Sequence, residues 1–406
     1  VRLSGHDQRS NTQVGLQMIK RFAIIFTLVS LAACSAAPDK PASYGNPASL
    51  LTLTPEQQLV TYKNIEATFA VRVAKRGTKV HPLPMAAVQI APQVTWREKT
   101  YADVDSFMLD ARMSGILILK NGQIVFERYA LGRQPEDRWT SFSVGKSVTS
   151  ILLGAAIQDG YIKSLDEKVT KYIPQLKGSC YDGVNIRQLI TMTSGTKWNE
   201  DYTDMNSDVA RASSWLGEPG MNPLVSYMRH LPCESEAGAK FAYKTGETDM
   251  AGILVANATG KGLARYMSEK LWQPYGMERD AIWMVDRGGM ERGGCCISMT
   301  LRDYGRVGLF MLEGGRIGTK QVVPAWYVQE ATSNQLKAPA QGDYGYFWWG
   351  RGADGYSAQG IFGQQIRISP KDNLIVVINA AFPNATDRSL SAAQKAVFDA
   401  AREALK

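Results

Sequence analysis

Histidine is nearly absent from this sequence: three residues in 406, His6, His81 and His230. The five cysteines, Cys34, Cys180, Cys233, Cys295 and Cys296, show no metal-ligand spacing, so a zinc centre has little to be built from. No apolar run reaches the roughly 20 residues that a bilayer-spanning helix needs. No block of five or more basic residues occurs, which leaves nucleic-acid binding without an electrostatic footprint. Repeats and low-complexity tracts are missing too. What remains, at 45% hydrophobic and 21% charged residues, is a folded body long enough for two domains, or for one large domain with an insertion.

The N-terminus has a different character. Lys20 and Arg21 precede an apolar run from Phe22 to Ala33 that closes on Leu31-Ala32-Ala33-Cys34. A basic start, a short apolar core and a small-residue exit predict an export signal over residues 1–33. Met18 stands just before the basic pair, so residues 1–17 read as an over-extended gene start. The Leu-Ala-Ala-Cys ending resembles a bacterial lipobox. That resemblance implies lipidation of Cys34 and attachment to a membrane on its periplasmic face, with Ser35 pointing to the outer membrane. Residues 34–50, rich in Ser, Ala, Pro and Gly, read as a tether. The signal holds much of the formal charge of +8, leaving about +5 on the remainder. An exported protein can oxidise its cysteines, but pairing is not readable from sequence. Neighbours Cys295 and Cys296 are poor candidates for bonding each other, so bridges to Cys180 or Cys233 stay open.

Periodicity predicts the following order. Thr54 caps a helix that has Pro55 in its first turn and runs to about Phe69. Val104–Leu109 form a second helical stretch. Gly115–Lys120 and Gln123–Tyr129 make a hairpin around Asn121-Gly122, the pair that a type I′ turn demands. From Ser143 to Gln158 apolar residues recur at helical spacing, at Val144, Val148, Ile151, Leu152 and Ala155. Between about 175 and 300 helix and loop dominate: Ile186–Met192 capped by Asn185, Pro223–Arg229, Glu247–Thr259 and Leu263–Trp272. Strands return at Tyr344–Trp349, Gln364–Ile368 and Leu374–Ile378, and Ser391–Leu405 forms an amphipathic helix with Ala393, Val397, Phe398 and Ala401 on its apolar face. Early and late strands would join in one antiparallel sheet flanked by terminal helices, an α/β (α+β) fold with an inserted all-helical domain. The expected divisions are 51–175 and 301–406 for the α/β part and 176–300 for the helical part.

Ser143-Val144-Gly145-Lys146 is the segment that carries chemistry. Three positions apart in a first helical turn, the two side chains share a face. The helix N-terminus favours a developing oxyanion and disfavours an ammonium, and burial lowers an amine's pKa further, so Lys146 can act as base toward the Ser143 hydroxyl. Such a pair by itself is common in chains of this length.

Further phrases reinforce it. Trp139-Thr140-Ser141-Phe142-Ser143-Val144-Gly145-Lys146-Ser147, the upstream Glu127-Arg128-Tyr129, then Ser164-Leu165-Asp166, Tyr172-Ile173-Pro174-Gln175-Leu176 and Leu189-Ile190-Thr191-Met192-Thr193-Ser194-Gly195 together resemble the serine β-lactamase and penicillin-binding protein superfamily. Within it they are most similar to the branch of 6-aminohexanoate-dimer hydrolases and related esterases. The resemblance spans about 100–380 and implies a β-lactamase/transpeptidase-like fold. It implies that Tyr243, in Tyr243-Lys244-Thr245 followed by Thr248-Asp249, shares a proton with Lys146 and delivers it to the leaving group. A phenol beside an ammonium is expected to lose or relay a proton more readily than in water. Thr245 replaces the family's amide. Lys244-Thr245-Gly246 spells a triad that the superfamily carries on a late strand, but this copy lies mid-chain before a helix. The late-strand position holds Gln359-Gly360-Ile361-Phe362-Gly363-Gln364, similar to a Gly-x-x-Gly-Gln phrase of the branch and lacking Lys or His. The backbone N–H groups of Ser143 and Ile361 are the candidate oxyanion hole.

Trp198-Asn199-Glu200-Asp201-Tyr202 resembles the branch's Trp-x-Glu-x-Tyr, which implies substrate contact by Tyr202. Glu200 either orients that tyrosine, meets a substrate amine, or is a solvated loop carboxylate. Trp348 and Trp349 wall the acyl pocket or form a buried strand pair, with at least one expected in the latter role. His81 and His230 have no assigned role. The function expected is hydrolysis of a small ester or linear amide through an acyl-serine, with no metal or organic cofactor. A D-Ala-D-Ala-type carboxypeptidase or β-lactamase, and a non-catalytic envelope binding protein, are the competing readings.

Overall fold

A computed structural model describes residues 50–336 and 343–406. The expected export signal, Cys34 and the tether up to Ser49 lie outside the described residues. No helix among the described residues is long and apolar enough to cross a membrane.

The Asn-Gly pair nucleates the main sheet. Asn121 and Gly122 both take positive φ, 52° and 75°, the geometry of a type I′ turn. They join strands Met113–Lys120 and Gln123–Tyr129 with Lys120 opposite Gln123. The first of these strands pairs along its other edge with Leu374–Ala380, so the early hairpin is hydrogen-bonded to the end of the chain. The completed sheet is antiparallel and six-stranded, in the order Trp349–Gly350, Tyr356–Gly360, Gln364–Ser369, Leu374–Ala380, Met113–Lys120, Gln123–Tyr129.

Period-2 alternation then sorts the side chains. Ile116, Ile118, Val376 and Ile378 face the C-terminal helix Arg388–Ala404 and the short helix Val104–Asp110, meeting Phe107, Val397 and Phe398. Leu117, Leu119, Ile375 and Val377 face the other way, onto Val148, Ile151, Val307 and Phe310 of helices Val144–Gln158 and Leu301–Leu312. Coverage on both faces explains why Leu374–Ala380 is an unbroken apolar run with every residue buried. The apolar face expected for the last helix, Ala393, Val397, Phe398 and Ala401, is buried as read.

The rest differs in informative ways. Thr54 caps its helix in a reciprocal box with Gln57, yet the helix ends at Thr61, and a separate turn at Ile65–Ala67 follows. The stretch expected to be mostly helix or loop also contains strands Ala281–Met284 and Ile297–Met299. With Val71–Ala74 and Trp139–Thr140 they build a second, four-stranded sheet. Elements of two to four residues are too short for alternation to register. Of the expected strand Tyr344–Trp349 only Trp349 is paired in the main sheet, because Phe347 takes φ 62° and turns the chain into the core. Tyr356–Gly360 is a strand whose polar Ser357 and Gln359 hide it from a hydrophobicity reading.

The cysteines correct the expectation most directly. Cys180 bonds Cys233, and Cys295 bonds its own neighbour Cys296. Side chains of adjacent residues diverge on extended backbone, but Cys296 sits at φ 69° in a turn, which brings the two sulfurs together. Cys180–Cys233 spans 53 residues of the helical region, and closing a loop of that length removes about 4 kcal/mol of unfolded-state entropy on a chain-entropy estimate. The Cys180→Ala/Cys233→Ala protein is therefore expected to lose about 2–4 kcal/mol in urea unfolding under non-reducing conditions; an unchanged midpoint would show the bridge to be energetically idle.

Candidate active site

Ser143 follows a residue forced into the left-handed region, Phe142 at φ 44°. Such strain persists where the surroundings hold it, and here Phe142 is clamped between the rings of Tyr62 and Phe362, each 5.0 Å away. The turn delivers Ser143 to the N-cap of helix Val144–Gln158, with its own side chain uninvolved in capping. The hydroxyl is thus free for chemistry. Gly145 has a separate purpose: a Cβ there would stand 3.1 Å from the Cys295 carbonyl carbon, so its absence lets the 292–296 loop approach the first turn.

That approach matters for Lys146, which is 1% exposed. Its Nζ lies 3.0 Å from Ser143 Oγ, 2.9 Å from Thr245 Oγ1 and 2.8 Å from the Gly294 carbonyl oxygen. Gly294 O can only accept. Thr245 donates its single hydroxyl proton to Glu200 Oε1, so its oxygen must accept from Lys146. A neutral amine has two N–H groups and one lone pair, and the two acceptors take the N–H groups. The lone pair is left facing the serine. Burial lowers the Lys146 pKa to about 8, against the opposing pull of Glu200 and Asp249 and with a smaller lowering from Arg292.

Gly294 is held in place by a buried pair. Asp249 Oδ1 accepts from Gly294 N at 2.9 Å, while Asp249 Oδ2 accepts from Arg292 Nη2 at 2.9 Å. Tyr243 closes the opposite side. Its phenol borders the same cavity as Ser143, its ring centroid lies 5.1 Å from Lys146 Nζ, and it stacks on Trp349 at 5.5 Å. Burial, then Glu200, push the Tyr243 phenol far above its ordinary value. The expectation that the phenol loses its proton more readily than in water runs against this environment, which favours the protonated form.

Two cavities open on Ser143. One, about 50 Å³, is apolar, bounded by Leu50, Leu51, Val209, Met284 and the Cys295–Cys296 bridge. The other, about 270 Å³, is bounded by Tyr243, Trp349, Gln359, Gln364, Phe382 and Asp387. Ser143, Tyr202 and Ile361 border both. A larger charged cleft of about 660 Å³ between Arg76, Glu136 and Arg279 contains no nucleophile.

With this geometry in hand, comparison with known proteins is decisive at the family level. The beta-lactamase family profile matches residues 104–398. The chain belongs to the beta-lactamase family. A 6-aminohexanoate-dimer hydrolase of Paenarthrobacter ureafaciens is 29% identical over 312 residues, covering 73% of this chain and 79% of that one. A Bacillus anthracis protein assigned as a 6-aminohexanoate-dimer hydrolase superposes with a TM-score of 0.76 at 20% identity, covering 86% and 94% of the two chains. A class C beta-lactamase superposes at 0.57 and 15% identity, covering 73% and 93%. The fold is β-lactamase/transpeptidase-like, and the chain is a hydrolase of the serine beta-lactamase superfamily.

The other residues singled out from sequence fall as follows. Gly360 ends the strand that edges the site, and a Cβ on it would lie 2.5 Å from Ser141 O and 3.1 Å from Ser143 N. Gly360 thus lies against the Ser143 backbone, and Ile361 after it lines both cavities together with Ser143, where the expected oxyanion hole would lie. Tyr202 borders both cavities and donates to Glu200 Oε1 at 2.8 Å. Glu200 is half-buried, and its oxygens also receive Trp198 Nε1 and the Thr245 backbone N–H, the latter at 2.9 Å, as an orienting carboxylate requires. Trp349 walls the larger cavity, whereas Trp348 is buried against Tyr356. Lys244 and Glu247 form a buried pair at 3.1 Å, and Gly246 packs on Met228; of the Lys-Thr-Gly copy only Thr245 reaches Lys146. His81 stacks on Tyr275 and His230 meets Glu218, away from both cavities. Sequence reasoning missed the Gly294 carbonyl, the Asp249–Arg292 anchor and the Cys295–Cys296 wall.

Gly360→Ala is the sharpest probe of the strand edge, since φ −132° suits alanine and only the added methyl interferes. Losing one oxyanion donor lowers kcat by about 10²–10³-fold, and a drop of that order is expected with the circular dichroism spectrum retained. Full activity in this variant would remove Ile361 from the hole.

Proposed function

We propose that the protein hydrolyses an ester or linear amide bond of a small substrate through an acyl-Ser143 intermediate. The observation that carries this is the Lys146 amine, buried between two acceptors with its Nζ 3.0 Å from Ser143 Oγ, so that once deprotonated its lone pair is left for the serine hydroxyl. Ser143 attacks the carbonyl carbon as Lys146 takes its proton, and the N–H groups of Ser143 and Ile361 hold the oxyanion. Tyr243 hands its proton to the departing alcohol or amine and is reprotonated from Lys146. Water then adds to the acyl-serine, its proton taken by the same Lys-Tyr pair, and the acid leaves as Ser143 recovers its hydrogen.

Charge supports the choice of substrate class. Of the residues lining the two cavities, Arg292 is the one cation, and its guanidinium is engaged by Asp249 and Ser213. A penicillin or D-Ala-D-Ala carboxylate would find no free cation among these residues to pair with. The relative from P. ureafaciens is named a 6-aminohexanoate-dimer hydrolase, which fits the same reading. The basic-apolar-Cys34 pattern supports export and lipid anchoring at the periplasmic face of the outer membrane.

Intact-mass spectrometry after a fluorophosphonate probe tests the nucleophile. One adduct is expected on the native chain and none on Ser143→Ala; labelling of the alanine variant would end the assignment. Turnover of a chromogenic short-chain ester, an aminohexanoate dimer and a D-Ala-D-Ala peptide separates the substrate classes, with the peptide expected to be the poorest. Because Lys146 must be uncharged, kcat/KM is expected to rise with pH and level off above about 8. An acid limb near pH 4–5, the ordinary range of a carboxylate, would instead identify a carboxylate base.

A further inference from the structure

Glu200 is the terminus of a hydrogen-bonded chain that crosses the active site. Its carboxylate accepts from Thr245 Oγ1, Thr245 Oγ1 accepts from Lys146 Nζ at 2.9 Å, and Lys146 Nζ is 3.0 Å from Ser143 Oγ. Each hydroxyl has one hydrogen, so fixing one end fixes the direction of every bond. We propose that Glu200, acting through the Thr245 hydroxyl, is a positioning residue that polarises this chain and aims the Lys146 lone pair at Ser143. The assignment rests on the hydrolase reading above and adds a function for Thr245 at a position where the family's amide is missing.

The alternative arrangement shows why a carboxylate is needed there. If Thr245 donated to Lys146, the amine's lone pair would be occupied by Thr245, and a Lys146 N–H would point at Ser143, leaving the serine proton without a base. A carboxylate cannot donate, so it forbids that arrangement. Glu200 is itself fixed by Trp198 Nε1, by Tyr202 at 2.8 Å and by the Thr245 N–H at 2.9 Å. The charged groups facing Lys146 are Glu200, Asp249 and Arg292, with the neutral phenol of Tyr243 on the remaining side.

The test is a set of kcat, KM and pH profiles on the full chain for Thr245→Val, Thr245→Ser and Glu200→Gln, each with fluorophosphonate labelling rate and melting temperature. Valine keeps the volume and the backbone contact to Glu200 and removes only the hydroxyl. Thr245→Val is expected to lose about 10²-fold in kcat, the range for a misaligned general base, with KM changed by less than about threefold and slower labelling. Thr245→Ser recovers most of that loss. Glu200→Gln removes a negative charge that raises the Lys146 pKa, so its acid limb moves to lower pH while its plateau falls, because an amide N–H can donate to Thr245. Native kcat in Thr245→Val, a serine variant as impaired as the valine one, or an unmoved acid limb in Glu200→Gln would each overturn the positioning role. Failure of the native chain to label would instead overturn the hydrolase reading beneath it.

Discussion

An amine stripped of water is the constraint around which this protein is organised. Lys146 is reached by a hydroxyl from its own turn, a threonine 99 residues later and a carbonyl 148 residues later. A buried amine without partners loses its hydration with no compensation. With three partners it is held, and with two of them restricted to accepting it is also oriented. The sheets, the helical region and the buried Asp249–Arg292 pair converge on this one atom. Asp249 contributes no contact to Ser143; it fixes the Gly294 N–H, and with it the neighbouring carbonyl, at a distance that an N–H of Lys146 can span.

The two cavities give that atom a direction. Ser143 and Ile361 sit where the apolar and the mixed cavity meet, so a scissile carbonyl at the junction sends its two substituents into different surroundings. The smaller side admits a compact apolar group between Met284 and the Cys295–Cys296 bridge. The larger side offers amides, Trp349 and one carboxylate, with no basic residue among its lining. Arg292, the nearest guanidinium, is spent on Asp249, and a cation whose donors are occupied by a buried carboxylate is unavailable to an incoming anion. The selectivity proposed against carboxylate-bearing substrates thus rests on the same pair that places Gly294.

How far the sequence carries this picture depends on the range of each interaction. The Ser143–Lys146 pair is legible because three positions in a helix are geometry, and the hairpin is legible because Asn121-Gly122 admits few other conformations. The partition of the sheet faces at Leu117 and Ile118 follows from alternation alone. Tyr243 needed a resemblance, since nothing local marks a tyrosine before a helix. The Gly294 carbonyl leaves no trace: backbone oxygens are the same in every residue, and its role depends on Gly145 being small enough to admit the loop. Cys295 and Cys296 misled because their pairing depends on one positive φ. Glu200 is intermediate. Its type suggested either an orienting or a substrate-binding carboxylate, and only the positions of Trp198, Tyr202 and Thr245 decide between them.

The same amine connects stability to pH in a way opposite to that of a paired carboxylate. Lys146 titrates near 8 in the folded chain and at its ordinary value of 10.5 when unfolded. Below about pH 8 it is protonated in both states, and the fold carries the full desolvation cost, on the order of 3 kcal/mol. Between about 8 and 10.5 the unfolded state holds more protons, so this group's contribution to stability rises with pH and its cost is gone above that window. On the proposed mechanism, activity and this part of the stability improve together on the alkaline side, because one event, loss of the Lys146 proton, both relieves the buried charge and frees the lone pair. A hydrophobic residue of similar length at this position would remove the burden and the base at once. On the proposed mechanism, the lysine is there as the requirement of the chemistry at Ser143.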